Sequence, residues 1–265
     1  MAEPLVLLTG AAGRIGTMIR PWLLQKYRNI RLSDAKVISD LNDGETFELC
    51  DLASETDVDR IMTGVSVLIH FGGISNESTW SEILDSNIRG SINVFEAARK
   101  CGVKRIVFAS SNHVVGFYKR SDIIDIDRIP RPDSRYGVSK VFGEALAAMY
   151  SDKYGIRTTC LRIGNADWQP VDRRRLSIWI HPEDLFQLVC IGVDHPSVRF
   201  EVLFGMSDNA RAWWADPRAA ALGYRPRHRS EDYAPQVLAA PHAPDPVADE
   251  HQGGPFCAHE YAARP

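Results

Sequence analysis

Apolar and polar positions repeat in one order along residues 1–163. A short apolar run comes first, then a turn rich in Gly or Asp, then a stretch with apolar residues three and four apart. Short continuous apolar runs read as strands buried on both faces, and three-four spacing reads as helices with one buried stripe. Pro4–Thr9 is the first such strand, and an amphipathic helix follows through about Lys26. The same reading predicts strands at Ile30–Ser33, Thr46–Cys50, Val65–Phe71, Lys104–Ala109 and Ile156–Ile163. It predicts helices at Ala53–Met62, Trp80–Cys101 and Tyr136–Tyr150. Strands alternating with helices predict an α/β fold, a parallel sheet covered on both sides.

The alternation breaks after Gly164. Asn165–Pro170 is loop-like, Arg173–Arg175 is a basic run, and Pro182–Val193 reads as a helix with its acids in the first turn, where the helix dipole favours them. Val198–Phe204 fits one more strand, and Ala212–Leu222 a partial helix interrupted by Pro217. From Pro235 the chain is rich in Pro, Ala and Asp and is expected to be irregular, with Phe256 docking on the body or on a neighbouring subunit. The expected organisation is a doubly wound Rossmann-type core over residues 1–163 and a small C-terminal substrate lobe with an irregular tail over 164–265.

Composition narrows the class. A chain of 265 residues with 45% apolar and 25% charged residues can bury a substantial core. The net charge of −3 lacks the basic excess expected of a nucleic-acid partner. No apolar run nears the 18 residues of a membrane span, and the N-terminus enters a strand without a signal-like core. Five scattered cysteines without a CxxC pair read as reduced thiols, so a cytoplasmic protein is expected.

The candidate chemistry sits at strand ends. Thr9-Gly10-x-x-Gly13-Arg14-Ile15-Gly16 closes the first strand and opens the first helix. Its glycines allow close backbone approach, and the helix N-terminus offers N–H groups to a pyrophosphate. Asp34, 18 residues beyond Gly16, ends the second strand. An acid there binds the adenosine ribose diol and repels a 2′-phosphate, which favours NAD over NADP, with Lys36 as a competing neighbour. Asp51 and Leu52 are positioned to border the adenine, and Gly72–Ser75 to let a cofactor cross the fourth strand end. His70, inside an apolar run, reads as a packing histidine. Asn87, in mid-helix, is either a surface polar group or one that orders an internal water or a backbone kink. The fifth strand delivers Ser110-Ser111-Asn112-His113 to the edge where open α/β sheets bind ligands. Tyr136 and Lys140, at i and i+4, share a helix face, and the ammonium is expected to lower the phenol pKa toward a working general base. No second ligand at zinc spacing accompanies His113, so no metal is expected.

Thr9-Gly10-x-x-Gly13-x-x-Gly16, Asn87, Ser111 and Tyr136-x-x-x-Lys140 together resemble the short-chain dehydrogenase/reductase superfamily, in its extended, epimerase/dehydratase-like branch. The resemblance implies Tyr136 as base, Lys140 as the ribose-binding residue that tunes it, and Ser111 as the orienting hydroxyl. Gly72–Ser75, Phe108–His113, Arg135–Lys140, Arg174-x-Leu-Ser177 and Gln252-Gly-Gly-x-Phe256 further resemble the bacterial uronate dehydrogenase family over essentially the whole chain. That likeness implies NAD-dependent oxidation of cyclic glucuronate or galacturonate at C1 to an aldarolactone. It implies that Ser75, Ser111, Asn112 and His113 hold sugar hydroxyls and that Arg174 holds the carboxylate. Asn165 stands where that family is expected to have Ser, a departure that bears on sugar preference. The implied partner is a small hexuronate, with no nucleic acid or membrane, in a homo-oligomer. Two rival readings are a nucleotide-sugar epimerase or dehydratase, which needs a larger lobe, and a non-catalytic NAD-sensing Rossmann protein, which has little use for Ser111, Tyr136 and Lys140 together.

Overall fold

The computed structural model describes residues 3–262. Seven parallel strands form one sheet in the order β3-β2-β1-β4-β5-β6-β9. They are β1 (Leu5–Thr9), β2 (Ile30–Asp34), β3 (Glu45–Leu49), β4 (Val65–His70), β5 (Arg105–Ser111), β6 (Arg157–Ile163) and β9 (Phe200–Gly205). Side chains alternate between the two faces of a strand, so each strand feeds both layers. Val6 and Leu8 of β1, with Val107 of β5 and Leu161 of β6, pack against α1 (Arg14–Lys26) and α7 (Pro182–Asp194). Leu7, Ile106, Phe108 and Cys160 pack on the opposite face, against α2 (Glu55–Met62), α4 (Gly90–Cys101) and α5 (Arg135–Tyr154). Strand order reverses between β1 and β4, and the crevice at such a switch point is where open α/β sheets hold ligands.

Element ends follow local chemistry. The Ser134 hydroxyl caps α5 by accepting from Gly137 N, and Gly155 ends it with φ of 68°. The helix expected over Trp80–Cys101 is not uniform. It runs as α3 (Trp80–Ile83), a π segment (Leu84–Arg89) and then α4. The widened turn carries Asn87 inward, which favours the kink among the readings left open for that residue.

The sheet does not end at residue 163. Val198–Phe204, read as a strand, supplies β9 beside β6, and α7 covers it, so residues 182–205 extend the sheet and its helical layer. Between them, β7 (Asn165–Ala166) and β8 (Trp179–Ile180) form a short parallel pair around α6 (Arg175–Ile178). The irregular tail is corrected. It folds into α9 (Ala234–Ala239), α10 (Pro246–Glu250) and α11 (Pro255–Ala258), and Pro217 opens α8 (Pro217–Ala221) instead of interrupting it. In each of these helices a proline sits in the first turn. Its fixed φ suits that position and its missing N–H costs nothing there, so these prolines start helices. No helix among the described residues is long and apolar enough to cross a membrane.

Candidate active site

One cleft of about 740 Å³ runs along the C-terminal strand ends, and every residue assigned a site role from the sequence lines it. The cofactor end is built by the β1–α1 turn. Gly10 has φ of 71°, and a Cβ there would lie 2.5 Å from the Phe71 carbonyl carbon, so only glycine fits. A Cβ on Gly16 would overlap the Gly10 carbonyl oxygen. No side chain caps α1, whose N-cap is Gly13, so the N–H groups of Arg14, Ile15 and Gly16 face the cleft without a side-chain acceptor. Asp34 ends β2 with Oδ2 accepting from Ala12 N at 3.0 Å and Oδ1 accepting from Lys36 N at 3.0 Å. Those bonds fix the carboxylate and leave lone pairs on both oxygens. Asp51 is braced by Ala53 N at 2.9 Å, and Leu52 closes on Gly72 at the β4 exit. Arg14 pairs across the cleft mouth with Asp167. A glycine turn, an uncapped helix start and a fixed acid at the β2 end fit NAD.

At the centre, Tyr136 and Lys140 are buried one turn apart on α5. The electrostatics correct the expectation for the phenol. Tyr136 is pushed up to about 12, chiefly by burial, with a hydrogen bond to Ser111 acting in the opposite direction and the Asp133 charge adding to the rise. Lys140 does not offset this; its ammonium stands over ring faces, 5.5 Å from the Tyr136 centroid and 5.1 Å from that of Phe108. Burial also lowers Lys140 to about 8. The spacing therefore gives proximity, and low-dielectric burial outweighs the charge. Asn87 ties this centre together. Its Oδ1 accepts from Ile74 N at 2.8 Å, and its Nδ2 donates to Ile74 O at 2.9 Å and Ser139 Oγ at 3.0 Å, linking the β4 exit to α5. His70 is buried, contacts Thr9 Oγ1 through Nδ1 at 2.7 Å, and stays outside the cleft, as its apolar run implied.

The far end is polar and partly closed by the C-terminal segment. Arg174 is half-buried, with Nε donating to Gln252 O at 2.8 Å; desolvation lowers its pKa to about 10, with Asp133 opposing. Asn112, with its amide oriented as its neighbours require, donates to Ile163 O at 3.2 Å and accepts from Arg174 Nη2 at 3.0 Å. Asn165 presents a buried Oδ1 with no protein partner among the described residues. His113 contacts Asp133 Oδ2 through Nδ1 at 2.7 Å, and the Phe256 ring stacks on it at 3.8 Å. Ser75 lies at the exposed rim. The docking of Phe256 is thus on the body of the same chain.

Sequence reasoning passed over Asp133, which sits in a loop of Pro, Arg and Asp residues where a buried acid has no distinctive pattern. It also missed Glu77, whose carboxylate accepts from Arg135 N at 3.2 Å and Tyr136 N at 3.1 Å and so braces the start of α5. An acid facing the positive end of a helix was the available signal, but the two lie far apart in sequence. Outside the cleft, His181, Glu183 and His228 bring potential ligand atoms within 4.8 Å of one another, with Arg227 already on Glu183 at 2.8 Å.

Residues 6–166 match the NAD dependent epimerase/dehydratase family. The chain is 44% identical over 227 residues to a uronate dehydrogenase of Pseudomonas syringae pv. tomato, covering 85% of this chain and 82% of that one. It is 45% identical over 227 residues to a uronate dehydrogenase of Pseudomonas putida, covering 85% of each. A crystal structure of a mutant uronate dehydrogenase from Agrobacterium tumefaciens complexed with NAD superimposes with a TM-score of 0.93 at 37% identity, covering 97% of this chain and 98% of that one.

Proposed function

We propose a specific activity for a chain that belongs to the NAD dependent epimerase/dehydratase family: it is an NAD-dependent dehydrogenase that oxidises free hexuronates, glucuronate or galacturonate, at C1 to the aldarolactone. One observation carries the substrate class. A half-buried guanidinium, Arg174, keeps Nη1 free of protein partners among the described residues in the same cleft as Tyr136 and Ser111. A planar fork of that kind suits a carboxylate.

Bound NAD supplies the acceptor for the C1 hydride. The chain's own residues do the rest. Gly10, Gly13 and Gly16 admit the pyrophosphate against the start of α1, with Arg14 and Ile15 beside it, and Asp34 takes the ribose diol. Asp51, Leu52 and Gly72 border the adenine half, and Lys140 holds the nicotinamide ribose. Ser111 hydrogen-bonds the C1 hydroxyl, and Tyr136 removes its proton. Ser75, Asn112 and His113 hold ring hydroxyls, and the unpaired Asn165 Oδ1 accepts from one more. The ring oxygen stays bonded to C1, so the lactone forms without hydrolysis. Phe256 and the Gln252–Gly254 turn close the far wall, which supports a small sugar acid over a nucleotide sugar. Five free thiols support a reducing, cytoplasmic setting. Exposed Trp80, Leu84 and Ile92, with Val138 and Met149 on α5, support self-association.

The test is NADH formation with a panel of free uronates, neutral aldoses and UDP-sugars. Turnover of hexuronates in preference to the others is expected. Turnover of UDP-sugars alone would overturn the reading.

A further inference from the structure

Behind the far end of the cleft lies a carboxylate that no role above requires. The Asp133 side chain is fully buried, and no Lys or Arg reaches ion-pair distance of it among the described residues; its one basic contact is His113 Nδ1 at 2.7 Å. The chain is shaped around this group. A Cβ on Gly116 or on Gly253 would overlap the same oxygen, Asp133 Oδ2, so two distant segments are both glycine where they meet it. Asp133 Oδ1 accepts from Ser134 Oγ at 2.7 Å, and Cys257 Sγ lies 3.9 Å from Oδ2. An unpaired buried carboxylate is costly, so it needs a donor, and Nδ1 is the strongest one present.

The His113 ring is held on its other sides too. Phe256 stacks on its face at 3.8 Å, and Tyr136 meets it edge-on at 5.8 Å. The remaining nitrogen, Nε2, bonds to no protein group among the described residues and is not a buried orphan, so it stays open to the cleft that His113 lines. The geometry points to Asp133 as a positioning residue: it fixes the His113 imidazole with its proton on Nδ1, so that Nε2 turns a lone pair into the cleft and accepts a hydrogen bond from a sugar hydroxyl. The last clause rests on the hexuronate reading; the tautomer does not. An acceptor at this point complements Arg174, which can only donate. With the proton on Nε2 instead, the same ring would present a donor, and the polarity of the contact would be reversed.

Full-length protein with ¹⁵N-labelled imidazoles tests the tautomer directly, the His113 signal being identified by its loss in His113→Gln. Two-bond ¹H–¹⁵N spectra near neutral pH are expected to show a protonated Nδ1 and an unprotonated Nε2. A proton on Nε2, alone or together with Nδ1, overturns the assignment. Kinetics test the consequence, with whichever sugar the protein oxidises. Asp133→Asn should lower kcat/KM by on the order of 10–100-fold with NAD affinity kept. In a His113→Gln background the same change should cost under about twofold, because positioning acts only through the ring. A full additional loss there would make Asp133 merely structural. If Asp133→Asn does not fold, the wild-type spectrum decides alone, and it does so whether or not uronates are the substrate.

Discussion

Arg174→Ala probes substrate class most directly. The guanidinium has five N–H donors. Nε is committed to Gln252 O at 2.8 Å and one Nη2 hydrogen to Asn112 at 3.0 Å, which leaves three, including both on Nη1, for a carboxylate. Burial lowers the group only to about 10, so it stays cationic across the neutral range. A charge-assisted hydrogen bond contributes about 1.5–3 kcal/mol, and stranding one partner of a buried charge pair costs about 2–5 kcal/mol. A loss of roughly 2–4 kcal/mol in the transition state lowers kcat/KM on uronate by about 30- to 1000-fold. Initial rates of NADH formation against uronate concentration measure it, with the aldose of matching stereochemistry run in parallel. Arg174→Lys should recover part of the loss, since an ammonium lacks the planar fork. Thermal melting and NAD binding monitor whether the Gln252 turn, deprived of its donor, has loosened. A kcat/KM on uronate within about twofold of wild type, or an equal loss on the neutral aldose, would refute the carboxylate clamp.

Tyr136→Phe should keep the fold and NAD binding and reduce turnover by about 10²–10⁴-fold. Because burial raises the phenol to about 12 and the reaction needs phenolate, wild-type oxidation should quicken as pH rises from neutral, and a flat alkaline limb would count against Tyr136 as base. Asp34→Ala should narrow the preference for NAD over NADP; equal use of both by wild type would transfer the determinant to Lys36. His70 affects stability: burial lowers it from 6.5 to about 3, so below pH 6.5 the unfolded chain takes the proton first. Its contribution is complete above that pH and declines by up to about 1.4 kcal/mol per pH unit toward pH 3. Denaturant melts of His70→Gln should show a shallower acid slope, and an unchanged slope would exclude His70 as the source.

Much of the fold was legible because parallel strands buried on both faces leave near-continuous apolar runs, as Val65–His70 does with only Ser66 interrupting it before the terminal His70. Candidate site residues at strand ends were legible for a related reason: topology dictates that Ser111 and Asp34, at the ends of β5 and β2, border the crevice. What stayed hidden depends on contacts across long sequence separations. Asp133 acquires its meaning from Gly116, Gly253 and Cys257, and Glu77 from the start of α5. The phenol was misjudged because spacing reports how near Lys140 stands and says nothing of the desolvation both groups undergo. The tail was misjudged because a proline carries opposite meanings at the start and in the middle of a helix.

The turn at Gln252–Gly254 has a further consequence for how the protein comes into being. Its backbone bonds to Tyr118 and Gly116, its carbonyl receives Arg174, and the Gln252 amide reaches Trp214, Lys119 and Asp122. Translation delivers this turn, with Phe256 just behind it, after the rest of the cleft, whereas the turn after β1 and the acid of β2 leave the ribosome first. A nascent or proteolytically clipped chain ending before residue 252 would lack the carbonyl that anchors Arg174 Nε while keeping the residues of the β1–α1 turn and Asp34. Nucleotide retained by a preparation would therefore not certify that the far wall had formed.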